Sequence, residues 1–115
     1  MAHDESEFQI FVHNTIKSRF PQSEGYQIQK NPMSPTGKEL GFLVTGPYAT
    51  IVVAANDSEQ VERSDIDQLL SCAAELKARN AIIYTTYDTR VPVIVAEYAK
   101  ARGVDVARTQ WWQDD

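Results

Sequence analysis

Ala49-Thr50-Ile51-Val52-Val53-Ala54-Ala55 and Ala81-Ile82-Ile83-Tyr84-Thr85-Thr86 are the two apolar runs whose reading decides the fold. Each is strand-length, rich in β-branched residues and bounded by polar turns. A run with no polar alternation belongs to a strand covered on both faces. Between the two lie a charged loop, Asn56 to Arg63, and an apolar stripe at helical spacing formed by Ile66, Leu69, Leu70, Ala73 and Leu76. Ser64 suits an N-cap, with Asp65 and Asp67 in the first turn, and the helix is expected to run to about Arg79. A strand–helix–strand unit of this kind closes as a right-handed crossover between parallel strands. The same unit repeats once. Pro92 suits a first helical turn, Val91, Ile94, Val95 and Tyr98 form a second stripe, Gly103 fits the C′ position, and Val104 to Ala107 is the last strand.

Toward the N-terminus, Gly46-Pro47 turns the chain back onto a strand from Leu40 to Thr45, so this pair is antiparallel. Asn31 to Gly37, with Pro32 and Pro35, is a loop. Tyr26 and Ile28 alternate with Gln27 and Gln29 in a short strand opened by Gly25. Before it, Phe8, Phe11, Val12, Ile16 and Phe20 recur at helical spacing from about Glu5 to Phe20, and Pro21 stops that helix. The expected order is α-β-β-β-α-β-α-β. It makes a three-layer α/β sandwich around a mixed central sheet, in one domain over residues 1–115, with residues 1–6 as a flexible leader and 108–115 as a tail.

Bulk properties narrow the function classes. The chain has 115 residues with 43% hydrophobic and 23% charged, the profile of a globular domain able to bury a core. It contains no apolar run long enough to span a bilayer, so no membrane role is expected. The polar, acidic start, Met1 to Glu7, is unlike a signal peptide. Cys72 is the single cysteine, which excludes an intramolecular disulfide framework and a cysteine-based zinc site and points to the cytoplasm. A net charge of −5 argues against a general nucleic-acid coat, because phosphate neutralisation dominates such binding, but leaves room for a local basic face.

The order of elements resembles the core of the restriction-endonuclease-like superfamily, whose active members carry the PD-(D/E)xK signature, and within it the Mrr-type domain. Ser64-Asp65-Ile66-Asp67-Gln68-Leu69-Leu70 looks like the helix after the catalytic strand. Ile82-Ile83-Tyr84-Thr85-Thr86 looks like the family strand ending in a threonine pair. Ala96-Glu97-Tyr98-Ala99-Lys100-Ala101-Arg102-Gly103-Val104 looks like its last helix and the glycine before the final strand, and Gly25-Tyr26 resembles the start of its first strand. The resemblance implies a divalent metal held by an Asp on the second strand and a Glu or Gln on the third, with a Lys two residues further on. Carboxylates hold the hard cation, and cation and lysine together stabilise charge on the scissile phosphate.

At these positions the sequence departs from the family. With Gly41 matched to the family glycine, the Asp position falls on Leu43, and the third-strand motif falls on Ala54-Ala55-Asn56, giving Ala54 for the carboxylate and Asn56 for the lysine. A shift of register by one or two residues does not restore the motif, because Ala49 to Ala55 contains no ionisable side chain. Glu39 and Asp57 flank the strands as candidates for migrated carboxylates, and Lys38 for a migrated lysine.

Other features carry two readings each. Thr85-Thr86-Tyr87-Asp88-Thr89-Arg90 ends a strand just before a helix, where it is either turn and capping chemistry or an anion site using Thr85, Thr86 and Arg90. Trp111-Trp112 either packs back on the core, contacts a partner protein or a second copy, or stacks bases. Lys77, Arg79, Lys100, Arg102 and Arg108 complement helix dipoles and also merge into a basic face for DNA. His3 and His13 have no metal partners in sequence, and Cys72 suits a buried structural role. The leading expectation is a catalytically inactive restriction-endonuclease-like domain that binds DNA or another partner without a cofactor. The alternatives are an active nuclease using Mg²⁺ through Glu39 and Asp57, and an assembly factor with no nucleic-acid role.

Overall fold

Phe8, Val12 and Ile16, spaced four apart, form the buried line of the first helix, α1 (Glu7–Arg19). Glu7 sits in its first turn and Lys17 and Arg19 in its last, matching the sign of the helix dipole at each end. The computed structural model describes residues 7–30 and 41–111. A 3₁₀ turn, Gln22–Glu24, leads from α1 into β1 (Gln27–Lys30), a mostly exposed edge strand. Then come β2 (Phe42–Thr45), β3 (Thr50–Asn56), α2 (Arg63–Glu75), β4 (Asn80–Thr85), α3 (Val93–Ala101) and β5 (Val104–Arg108). The expected order of elements is the observed one. The loop expected over 31–37 and the expected strand start at Leu40 lie outside the described residues.

The sheet is mixed and runs β1-β2-β3-β4-β5 in chain order. The first three strands pair antiparallel, and β3, β4 and β5 pair parallel. Both crossovers step the same way across the sheet, so right-handed connections place α2 and α3 on one face. There Ile66, Leu69, Cys72 and Ala73 of α2 and Val95 and Ala99 of α3 meet Val52, Ala81, Ile83 and Val104. On the opposite face α1 lays Phe8, Val12 and Ile16 on Phe42, Val44, Ile51, Val53, Ile82 and Tyr84. The period-2 alternation of each strand thus feeds two cores, which is why both runs are apolar throughout.

Three local expectations are corrected. The N-cap of α2 is Glu62, not Ser64: Glu62 has extended backbone (φ −115°, ψ 162°), and its amide donates to Asp65 Oδ2 at 2.8 Å. A carboxylate three residues into the helix reaching back to the cap amide is half of a capping box, and it draws the helix start upstream. The same helix ends at Glu75, short of Arg79, because Lys77 takes a left-handed conformation (φ 57°) and the Ala78 amide bonds back to the Ala73 carbonyl at 2.8 Å. This is a Schellman closure with lysine at C′, where glycine is usual. In α3 the inward line is Val95 and Ala99, and Ile94 stands 69% exposed on the outer shoulder. Gly103, with φ 77°, closes α3 as the sequence predicts.

Candidate functional site

The parallel strands β3, β4 and β5 end at one edge of the sheet, where the loops after them gather. In open α/β sheets this carboxyl edge is where ligands bind. Two adjoining clefts open there, of about 360 and 400 Å³, sharing Asp57 and Ser58. Gly41, Ala54, Asn56, Asp65, Gln68 and Cys72 are among the residues lining the first. Glu59, Thr86, Asp88, Arg90 and Trp111 complete the second.

The first cleft contains the expected motif positions, with one displacement. Ala54 and Asn56 line it, on the face of β3 that looks toward α2. Leu43 pairs with Val52 and packs against the α2–α3 core, one pleat deeper. Extending the Phe42–Val53 register by one residue sets Gly41 opposite Ala54, and Gly41 is the cleft-lining residue on that side. A Cβ on Gly41 would stand 2.9 Å from the Val53 carbonyl oxygen, so the close approach of the two backbones requires glycine. Neither Gly41 nor Leu43 can ligate a cation through its side chain.

Asn56, at the lysine position, is held at both ends of its amide. Its Nδ2 donates to Asp65 Oδ2 at 3.3 Å, and its Oδ1 accepts from the Ser58 backbone N–H at 3.0 Å. Asp65 Oδ2 therefore receives both this bond and the one from the Glu62 amide. The Asp65 carboxylate thus caps a helix and anchors a strand end. Asp57 also lines the cleft and is exposed. Among the described residues no group of three or more His, Cys, Asp or Glu gathers in a way that could hold a metal ion. A methyl at Ala54, an amide at Asn56 and a doubly engaged Asp65 do not fit the oxygen-rich shell a hard divalent cation needs. Lys38 and Glu39 lie outside the described residues.

The second cleft contains the threonine pair and Arg90. Thr85 is fully buried, and its carbonyl accepts from both the amide (2.9 Å) and the hydroxyl (2.8 Å) of Thr109. Thr86 Oγ1 contacts Asp88 Oδ1 at 2.8 Å and Thr89 Oγ1 at 2.6 Å, and Thr89 Oγ1 reaches the Ser58 carbonyl at 2.9 Å. Two hydroxyl protons are shared among three contacts, so this polar cluster is engaged within the fold. Arg90 ties the two loops through its backbone, donating to Glu59 O at 2.8 Å and accepting from Val61 N at 2.9 Å. Arg90 lines the cleft with Asp57, Glu59 and Asp88, an arrangement that disfavours a phosphate.

Trp111 packs inward. Its ring lies 5.4 Å from that of Phe8 on α1, and its carbonyl accepts from the Tyr87 amide at 3.0 Å. Thr109 is buried and Arg108 closes β5, so the described part of this segment, residues 108–111, is held against the domain. Trp112 lies outside the described residues. Cys72 is buried where it lines the cleft, and the ring of His13 stacks on Phe42 at 5.2 Å. Reading the sequence alone missed the Asn56–Asp65 and Thr89–Ser58 contacts. Both join different elements, and no local spacing signals them.

No family model and no curated protein matches the chain. Solved structures do. A repair endonuclease from Pyrococcus abyssi superposes with a TM-score of 0.63 at 13% identity, over 94% of this chain and 49% of its own. EndoMS in complex with double-stranded DNA superposes with a TM-score of 0.64 at 10% identity, over 99% of this chain and 50% of its own. SfsA from Pyrococcus furiosus in complex with Ca²⁺ gives 0.57 at 16% identity, over 87% and 55%. The chain thus spans about half the length of the structures it matches. At these identities the likeness shows the fold. The protein is an α/β domain of restriction-endonuclease-like architecture.

Proposed function

We propose that this domain binds DNA without cleaving it, as a catalytically inactive, cofactor-free member of the restriction-endonuclease-like fold. The observation that carries the reading is the Asn56–Asp65 bond at the cleft, which engages an amide at the position the resemblance assigns to a lysine, with Ala54 at the position it assigns to a carboxylate. The DNA half draws support from the fold it shares with a repair endonuclease and with EndoMS, whose structure contains double-stranded DNA. The packing of Trp111 on Phe8 takes away one motive for self-association through the aromatic tail.

The test is incubation with supercoiled plasmid in millimolar Mg²⁺ or Mn²⁺, beside an anisotropy titration of a labelled DNA duplex. Retarded but uncut DNA is expected. Metal-dependent nicking that disappears in Glu39→Ala or Asp57→Ala would overturn the inactive reading, and no duplex binding at low salt would overturn the DNA reading.

A further inference from the structure

The three helices all end at the sheet edge opposite the clefts. The last turn of α1 contains Lys17 and Arg19, the exit of α2 contains Lys77 and Arg79, and the end of α3 contains Lys100 and Arg102. All six side chains are exposed. Arg19 and Lys100 line one shared hollow of about 520 Å³ with Ile51, Asn80 and Val104 at the starts of β3, β4 and β5 and with one acid, Asp105, and the Arg79 amide bonds to the Thr50 carbonyl at 3.2 Å. Arg108 does not join them. It closes β5 at the cleft edge, where its guanidinium donates to the Thr89 carbonyl.

We propose that this basic edge, not the cleft, is the surface that receives the phosphate backbone of double-stranded DNA. The inference rests on the DNA-binding reading above and deepens it. Among the described residues the clefts are lined by Asp57, Glu59, Asp65 and Asp88 and by one cation, Arg90, with Arg108 beside them held on the Thr89 carbonyl, a balance that disfavours a polyanion. Helix dipoles account for basic residues at helix ends in general. They favour a cation at Lys77 as well, but they do not explain its backbone. That residue stands in a left-handed conformation (φ 57°) at a position where glycine has no steric cost, so a cation is present there against the preference of the backbone. Arg102 stacks its guanidinium 3.7 Å from the Tyr98 ring and Arg19 donates to the Tyr84 hydroxyl, and Lys17, Lys77, Arg79 and Lys100 are exposed beside them.

The test is fluorescence anisotropy of a short labelled DNA duplex with the full chain and its variants, read between about 50 and about 200 mM salt. Lys77→Gly is the decisive variant because it relaxes the backbone: its melting temperature should rise or hold while its affinity falls. Arg79→Ala combined with Lys100→Ala should weaken binding about tenfold and lower the salt slope by about two, one unit per lost phosphate contact. Arg90→Ala should leave affinity unchanged. Unchanged binding by Lys77→Gly and by the double variant, with a loss in Arg90→Ala, would overturn the edge while sparing the DNA reading. Absence of binding by the unmodified chain at low salt would overturn both.

Discussion

Asn56 occupies its position as a crosspiece. One end of its amide holds the N-terminus of α2 through Asp65 and the other holds the turn after β3 through Ser58. The bond to a carboxylate is charge-assisted and part-buried, worth more than a neutral surface contact. Asn56→Ala and Asp65→Ala are each expected to cost about 1–2 kcal/mol in urea unfolding. Measured together they should fall short of additivity by at least about 0.5 kcal/mol, since both remove the same bond; full additivity would show the two side chains acting independently. That Ala54 and Asn56 share a face of β3 was legible from the sequence, because strand alternation assigns it. The partner of Asn56 was not. Asp65 reads locally as a first-turn acid, and only the packing of α2 over β3 turns it into a strand anchor.

Elements were read best where they carry a strong period. The stripe of α1 and the two apolar runs of β3 and β4 lie within a residue or two of their expected bounds. The ends of α2 were read poorly, because both are set by backbone closures that ordinary cap residues do not announce: a carboxylate reaching back to Glu62, and a left-handed lysine. The attachment of α1 is equally non-local. Phe8 is 1% exposed beneath Trp111, more than a hundred residues later in the chain, and the two rings join the first helix to the segment after β5. Phe8→Ala is expected to cost about 3–5 kcal/mol and to move tryptophan emission to longer wavelength as Trp111 becomes wet. A small cost with unchanged emission would mean that Trp111 finds its cover elsewhere.

For the whole molecule, the charge distribution matters more than the net value of −5. Asp57, Glu59, Asp65 and Asp88 lie at the cleft edge, while Lys17 and Arg19 in the last turn of α1, Lys77 and Arg79 just past α2, and Lys100 and Arg102 at the end of α3 lie at the opposite edge beside Asp105. The total charge suggested poor DNA affinity. The arrangement instead concentrates the repulsion on one side. If the cleft held a divalent cation, millimolar Mg²⁺ at one hundred times its dissociation constant would stabilise the fold by about 2.7 kcal/mol. A thermal melt with and without Mg²⁺ or Mn²⁺ is expected to show no such shift, and a rise of several degrees would revive the nuclease alternative. Net charge and composition were visible at once in the sequence, but the segregation of charge appeared only with the shared direction of the three helices.

The sheet has one further property. Its strands stand side by side in the order in which they occur along the chain, with no strand inserted between two earlier ones. A ribosome delivering this polypeptide therefore supplies each new strand beside a finished neighbour. The β1–β3 meander is complete before α2 has emerged, and β4 and β5 are then added at the same growing side. Assembly during synthesis needs no gap held open between these five strands for a segment still unmade, and β5, made after the other four, takes the edge.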